Sequence, residues 1–295
     1  MTLDQIRIFL EVARQLHVTR AAKTLNLTQS TVSAAIHALE ERHGVRLFER
    51  LGRRIALTSE GRTFLPQAAA VLASAESARR MLDDLSGTAM GSIAVRSSQT
   101  IAAQWLPRRL VAFREAYPNI ELDLKVGNTE QCIAGVLDES CDVAFIEATV
   151  TVDRLEQVVV GKDRLSLVVG SRHPWCSRPP QSLHDLTESK WVLRETGSGT
   201  RGTFEELLES HGIPASSLKV FLELPSNEAI CSAIAGSALA TVVSQMVAEP
   251  LIMAGRLVEL PLPVADRPFY MIRNRGRHRS RAVQALEQVV TGLGD

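Results

Sequence analysis

The stretch "HVTRAAKTLNLTQSTVSAAIHALEERHG", His17–Gly44, decides the fold of the N-terminal part of the chain. It indicates two short helices joined by a tight turn. Thr28 is a good N-cap for the second helix, and the final glycine is a typical helix end. The preceding residues, Leu3–Leu16, repeat apolar side chains at helical spacing and predict a further helix. We therefore expect a helix-turn-helix head.

The helix predicted after Thr28 has two unlike faces. Three apolar side chains form a stripe that we expect to be buried: Val32, Ile36 and Leu39. The opposite face is small and polar, with no acidic residue before Glu40. Because phosphates repel carboxylates, a helix that enters the DNA major groove keeps them off its first half. The predicted DNA contacts from this helix are Thr28, Gln29, Ser30, Thr31, Ser33, Ala34 and His37.

The segment "VRLFERLGRRIALT", Val45–Thr58, predicts two short strands joined at Gly52. Its tip carries three cations suited to phosphate or minor-groove contacts, namely Arg50, Arg53 and Arg54. The first 58 residues hold nine Lys or Arg against five Asp or Glu, a balance of +4, although the whole chain has 33 of each. A basic head on a neutral protein favours a polyanionic partner for the head.

The next segment, residues 59–87, predicts a long helix that connects the head to the body. It carries an apolar stripe with alternating steps of four and three residues, which is typical of a helix that pairs with another helix. The stripe consists of Phe64, Ala68, Val71, Ala75, Ala78, Leu82 and Leu85. The alternative is that this stripe packs on the chain's own body.

Residues 88–295 alternate apolar strands with helical segments, which predicts α/β sheets with crossover helices. Ligands bind such sheets where strands end and helices begin. Those ends carry hydroxyl, amide and glycine residues, which also make good helix caps. As a set they predict a cleft for a small anion. The predicted effector contacts are Ser98, Gln99, Thr100, Asn128, Thr129, Glu147, Thr196, Ser198, Thr200, Arg201 and Asn227.

One of these loops, "LRETGSGTRG", has the spacing G-x-G-x-x-G through Gly197, Gly199 and Gly202. An apolar run precedes it, and Glu223 lies near the position of a ribose-binding acid, so a nucleotide-dependent enzyme is one alternative. No catalytic motif or metal-spaced histidine cluster accompanies the loop. We therefore expect no enzyme, no cofactor and no metal.

The quoted head, continued through "VRLFERLGRRIALTSEG", closely resembles the winged helix-turn-helix of LysR-type transcriptional regulators. The stretches "GNTE", "LRETGSGTR" and "ELPSNEAI" resemble the effector domain of that family, most of all the branch of carbon-fixation and sulfur-assimilation regulators. The resemblance implies an all-α winged head and an α/β body of two Rossmann-like lobes, like a type 2 periplasmic binding protein. It places lobe I at about 91–161 and 267–295, and lobe II at about 162–266.

The same resemblance implies a homodimer or homotetramer that binds double-stranded promoter DNA and contacts RNA polymerase. A small, anionic metabolite bound between the lobes would control promoter binding or bending. The resemblance assigns the helix of residues 59–87 to dimerisation. The start of the chain has no apolar signal segment, and no stretch predicts a membrane span, so we expect a cytoplasmic protein.

An alternative mechanism within the same class is a redox switch. Cys132 and Cys141 lie around one predicted helix and its exit. A thiolate with a low pKa and a resolving partner would make such a switch, whereas buried apolar fillers would not.

Overall fold

The structure, a computed structural model, describes residues 1–51, 54–85 and 91–292 of the 295-residue chain. Arg53 lies outside the described residues, as do the side chains of Arg54 and Leu85. The chain divides into two compact units, of which one contains Met1–Leu82 and the other contains Asp83–Leu137 and Cys141–Asp295. Among the described residues, no helix is both long and apolar enough to cross a membrane.

The first unit is a helical head with a two-stranded wing. Its elements are α1 Leu3–Gln15, α2 Val18–Thr24, α3 Gln29–His43, β1 Phe48–Leu51, β2 Arg54–Leu57 and α4 Ser59–Leu85. The Thr28 hydroxyl accepts a hydrogen bond from the Thr31 backbone N–H, which caps α3 as the sequence predicts. Gly44 ends α3 in the left-handed conformation, with φ of 65°. The helix-turn-helix therefore follows from local signals.

The apolar face of α3 is buried within the head. Val32 is 0% exposed and packs among side chains of α1 and α2. Leu39 is 2% exposed and packs among side chains of α1 and the wing. Glu40 is buried beside them, and its carboxylate accepts hydrogen bonds from the backbone N–H groups of Leu47 at 2.7 Å and Phe48 at 3.1 Å. This carboxylate fixes the start of the wing to α3.

The apolar stripe of α4 divides between two surroundings. Phe64 and Ala68 pack into the head's own core, and Ala68 is 0% exposed. Farther along, Val71 is 42% exposed and Leu82 is 67% exposed. The first part of the stripe is therefore covered within the chain, whereas the later part presents apolar side chains to solvent.

Within the described part of the second unit, eight strands form one continuous sheet in the order β4-β3-β5-β10-β6-β9-β7-β8. The strands are β3 Gly91–Ser98, β4 Ile120–Gly127, β5 Val143–Ile146, β6 Leu155–Gly170, β7 Lys190–Arg194, β8 Lys219–Leu224, β9 Ala240–Ser244 and β10 Leu257–Asn274. The helices are α5 Leu106–Ala116, α6 Thr129–Leu137, α7 Gly199–Ser210, α8 Asn227–Ile234, α9 Gln245–Met253 and α10 Arg281–Gly292.

The sheet contains two groups of parallel strands, which are joined by a pair of long antiparallel strands. β3 pairs with β4 and β5 in parallel, and β7 pairs with β8 and β9 in parallel. β6 and β10 run antiparallel to each other along both groups and pair Asp163 with Arg267 and Gly161 with Phe269. These strands cross between the predicted lobes, so the polar loops after β3, β4 and β5 face those after β7 and β8.

Each lobe has an aromatic core of its own. In lobe I, Trp105 contacts Phe145 and Phe269. In lobe II, Trp191 contacts Trp175 and Phe204. The lobe I core reaches the crossing strand β6 at Gly161, where an added Cβ would lie 2.7 Å from the Trp105 indole nitrogen. Only glycine leaves room for the indole at this position.

Candidate DNA-binding surface and interlobe cleft

The seven residues of the α3 region predicted to contact DNA are all exposed. Thr28 bonds the hydroxyls of Ser30 and Thr31 at 2.8 Å each, which gathers three hydroxyls at the start of α3. The imidazole of His37 lies 3.1 Å from the Glu41 carboxylate one turn farther along. The structure thus brings the predicted positions together on one small, polar face.

The wing follows α3 directly. Arg50 is exposed on β1 opposite Ile55, and the backbone of Arg54 lies opposite Leu51. Arg46, next to the wing, forms a 3.2 Å ion pair with the carboxylate of Glu40. Arg50 is therefore the predicted wing cation whose side chain is described, and it is exposed on β1.

In the second unit, loops of the two lobes are joined by direct hydrogen bonds. The Asn227 side-chain amide donates to the Thr100 hydroxyl at 3.0 Å, and the Asn227 backbone N–H donates to the Gln99 side-chain oxygen at 2.9 Å. The Gly199 backbone N–H donates to the Thr129 hydroxyl at 3.1 Å. The structure therefore shows a closed cleft, and every residue of these bridges except Gly199 is among the predicted effector contacts.

The start of α7 faces a carboxylate of the protein itself. Ser198 is the N-cap residue but makes no side-chain capping bond. Instead, the Thr129 hydroxyl accepts from Gly199 and donates to the Glu147 carboxylate at 3.3 Å. Glu147 is only 3% exposed. Because helix N-termini attract negative charge, the buried Glu147 partly fills the position that the sequence assigns to an external anion.

The glycine spacing has a packing explanation. A Cβ at Gly199 would lie 2.7 Å from the Thr129 hydroxyl oxygen, and one at Gly197 would lie 2.6 Å from the Glu130 carboxylate. Gly197 also has φ of +87°, which favours glycine. The two glycines therefore allow the loop of one lobe to approach the α6 start of the other lobe closely.

A buried network lies where the strands cross between the lobes, and the sequence did not predict it. The Arg267 guanidinium donates to the Asp163 carboxylate at 2.7 and 3.0 Å and to the Thr200 hydroxyl at 3.1 Å. It also lies 4.0 Å from Glu147. Ser244 donates to Asp163 at 2.8 Å. Burial raises the pKa of Asp163, although the Arg267 charge acts in the opposite direction.

Arg201 is compensated by neighbouring acids and does not offer a free positive charge. Its guanidinium bonds the carboxylates of Glu205 at 2.7 Å and Glu223 at 2.6 Å, and also the Arg194 carbonyl at 3.2 Å. Arg201 nonetheless borders a cavity of about 520 Å³ between the lobes. The charged side chains around that cavity are Glu130, Glu147, Glu205, Glu206, Asp266, Arg201 and Arg267. Carboxylates outnumber guanidiniums there, which favours hydrogen-bond donors on a ligand.

The polar residues at the end of β3 include a buried hydroxyl that is not compensated by a neighbouring group. Ser98 is 2% exposed, and its hydroxyl has no hydrogen-bond partner among the described residues. Ser98 immediately precedes a helical stretch that begins at Gln99 and continues without a break through Ile101–Trp105 into α5. Buried polar groups are normally satisfied, so the unbonded Ser98 hydroxyl directly before this helix is suited to a ligand oxygen.

The cysteines do not form a reactive pair. Cys132 is 0% exposed and Cys141 is 2% exposed, and both belong to an apolar cluster of lobe I. Burial raises the pKa of Cys132 to about 12. A thiol with so high a pKa carries almost no thiolate at neutral pH, so the geometry does not support the redox alternative.

Comparison with known proteins agrees with this architecture. The family model described as "Bacterial regulatory helix-turn-helix protein, lysR family" matches residues 3–62, and the model described as "LysR substrate binding domain" matches residues 86–293. The chain belongs to the LysR family. It is a DNA-binding transcriptional regulator with an effector-binding domain, and it is not an enzyme.

Among curated relatives, the uncharacterized HTH-type transcriptional regulator YeiE of Escherichia coli K12 is 34% identical over 286 residues, which cover 96% of this chain and 95% of YeiE. The transcriptional regulator CbbR of Rhodospirillum rubrum is 32% identical, covering 96% of this chain and 94% of CbbR. The crystal structure of full-length CbnR complexed with its target DNA superposes with a TM-score of 0.71 at 21% identity, covering 98% and 99% of the two chains. The predicted fold, a helix-turn-helix head and a two-lobed body like periplasmic binding proteins, is confirmed.

Proposed function

We propose that this regulator switches between DNA-binding states when a small metabolite binds between the lobes at residues 98–100, 128–129, 147, 196–201 and 227. The direct hydrogen bonds between Asn227 and Thr100 and between Gly199 and Thr129 carry this proposal. They join the lobes through groups that a ligand can also bind, so a ligand that replaces them changes the balance between closed and open bodies. A ligand acts only through its different affinity for the two states.

The effector in this proposal is a hydroxylated anion, such as a sugar phosphate or a sugar acid. Its anionic group binds near Ser98 and Thr100, where a buried, unbonded hydroxyl directly precedes the helix that begins at Gln99. Its hydroxyl groups donate to the carboxylates around the cavity, including Glu147 and Asp266. A simple anion would meet repulsion from those carboxylates, and a simple polyol would leave the Ser98 region unused.

A matched set of compounds tests this assignment by thermal shift. Glycerol phosphate, which carries both kinds of group, should raise the melting temperature more than glycerol or inorganic phosphate at the same concentration. Ser98→Ala should abolish the difference, whereas Ser217→Ala should keep it, because Ser217 is an exposed serine in the short helical turn Ala215–Ser217. Equal shifts from inorganic phosphate and glycerol phosphate would show that the hydroxyl groups play no part.

The same proposal includes assembly. We propose a cytoplasmic homotetramer built from dimers, in which the exposed part of the α4 stripe pairs with a second copy at an inverted-repeat promoter and the assembly contacts RNA polymerase. Val71 and Leu82 support the pairing because they are exposed and apolar.

Leu82→Glu should therefore shift the protein to a smaller species in sedimentation equilibrium. Met253→Glu is the matched control, because Met253 is 83% exposed at the end of α9 and lies outside the stripe. An unchanged assembly in Leu82→Glu would remove α4 from the interface.

A further inference from the structure

A buried carboxylate of lobe I lies against the first turn of α7. Glu147 directly follows β5 and is 3% exposed. A Cβ on Gly199, the first residue of α7, would lie 3.3 Å from one oxygen of the Glu147 carboxylate. The same oxygen accepts a hydrogen bond from the Thr129 hydroxyl at 3.3 Å, and that hydroxyl accepts from the Gly199 backbone N–H at 3.1 Å. The carboxylate therefore lies where a helix N-terminus attracts an anion.

The negative charge of Glu147 is only partly neutralised by the protein. Among the described residues, the cation beside it is Arg267, whose Nη2 atom lies 4.0 Å from the second carboxylate oxygen. The same guanidinium forms two shorter bonds to the Asp163 carboxylate, at 2.7 and 3.0 Å. Arg201 also borders the cavity, but it is bonded to two other carboxylates. One guanidinium therefore serves two buried carboxylates, and an added anion finds no uncompensated cation among the described residues of the cavity.

The same end of α7 also presents a hydroxyl to the cavity. Ser198, the N-cap residue, is 5% exposed and makes no side-chain capping bond. Its hydroxyl has no hydrogen-bond partner among the described residues, and it borders the cavity together with Glu147. A serine hydroxyl can donate or accept, whereas an ionised carboxylate only accepts. Glu147 is therefore the group that distinguishes between kinds of ligand at the start of α7.

We propose that Glu147 is a specificity-determining residue, which excludes simple anions from the start of α7 and admits a ligand group that can donate a hydrogen bond. A sulfate ion has no proton at neutral pH, so it would meet a like charge and offer no donor to it. A hydroxyl or ammonium group can donate to the Glu147 oxygen. The inference rests on the proposed cleft site, and it adds the residue that sets the class of group bound at the α7 end.

Glu147→Gln tests this role of the charge in the full-length protein. The amide keeps an oxygen that can accept from the Thr129 hydroxyl, but it removes the negative charge and adds an NH₂ donor. In isothermal titration calorimetry, the variant should bind sulfate at least about 10-fold more tightly than the unaltered protein does. Glu147→Asp, which keeps the charge, should show no such gain. Glu209→Gln is the matched control, because it removes the same charge from an exposed position in the last turn of α7.

Two further variants locate the gained sulfate site and separate charge from folding. Ser198→Ala in the Glu147→Gln background should reduce the gained affinity, because sulfate then loses a donor at the start of α7. Glu147→Ser, which carries a smaller neutral side chain, should also gain sulfate affinity, so the result does not depend on one replacement. Any sulfate bound by the basic head is common to all of these proteins and cancels in the comparison.

The outcomes distinguish this inference from the effector assignment. Equal sulfate affinities in the unaltered protein and in both neutral variants of Glu147 would overturn the inference, and so would an equal gain in Glu209→Gln. A gain in Glu147→Gln without any stabilisation by glycerol phosphate would support the role of Glu147 and count against the effector assignment. Tight sulfate binding by the unaltered protein that Ser198→Ala weakens would overturn both.

Discussion

Replacement of Arg267 by methionine should destabilise the second unit strongly, because it leaves the Asp163 carboxylate buried without its ion-pair partner. The two side chains are 2% and 0% exposed and lie 2.7 Å apart. Removal of one partner from a buried ion pair costs about 3–5 kcal/mol of unfolding free energy. Only part of that cost should remain in Arg267→Met with Asp163→Leu, since apolar replacement of both partners is often close to neutral.

The same variant should become pH-dependent. Burial already raises the folded-state pKa of Asp163, and loss of the Arg267 charge removes a group that lowers it. An acid whose pKa is higher in the folded than in the unfolded state binds more protons when folded, so stability falls as pH rises through the folded pKa. The destabilisation of Arg267→Met should therefore be larger at neutral pH than in mild acid, where the Asp163 carboxyl takes up its proton.

Urea unfolding followed by tryptophan fluorescence measures both effects, because Trp105, Trp175 and Trp191 all lie in the second unit. The protein concentration must be constant, since the proposed assembly contributes to stability. A loss below about 1 kcal/mol at neutral pH, or an equal loss at both pH values, would refute the reasoning from a desolvated ion pair.

Three other changes probe separate parts of the chain. Gly161→Ala should cost about 1–3 kcal/mol in urea unfolding, because the added methyl group enters the space of the Trp105 indole; unaltered stability would mean that the indole moves aside freely. Glu40→Gln should weaken the attachment of the wing to α3 by about 1–3 kcal/mol, seen as a lower melting temperature of the head, and an unchanged melting temperature would count against this role. Arg50→Ala should reduce the salt dependence of DNA binding by about one phosphate contact without changing the preferred sequence, whereas a changed preference with an unchanged salt slope would assign Arg50 to base reading.

The head could be predicted almost entirely from the sequence because its signals are local. Thr28 and Gly44 set the limits of α3, and its burial pattern follows from helical periodicity. The α4 stripe shows the limit of such reasoning. Periodicity indicates that Phe64 and Ala68 are buried against other side chains. It does not distinguish whether those side chains belong to the chain's own head or to a second helix.

In the body, the sequence located the polar strand ends but not the charges that compensate one another there. Arg201 looked like a free cation beside a glycine loop, and Glu223 looked like a ribose-binding acid. The two form an ion pair between α7 and β8 instead. Arg267 and Asp163 are about a hundred residues apart in the chain, and only the antiparallel register of β6 and β10 brings them together. Pairing of this kind depends on tertiary structure and leaves no short-range pattern.

The hydrogen bonds of Thr129 with Gly199 and Glu147 compete with an effector for the same positions in the cleft. In the closed protein, side chains already occupy hydrogen-bonding positions at the start of α7. An effector that displaces them binds with its own affinity reduced by the free energy of the bonds it replaces, about 0.5–1.5 kcal/mol for each. In the proposed mechanism, this loss of affinity raises the metabolite concentration at which the promoter responds. Strengthening or weakening this one contact would therefore move the response threshold up or down while leaving the identity of the effector unchanged.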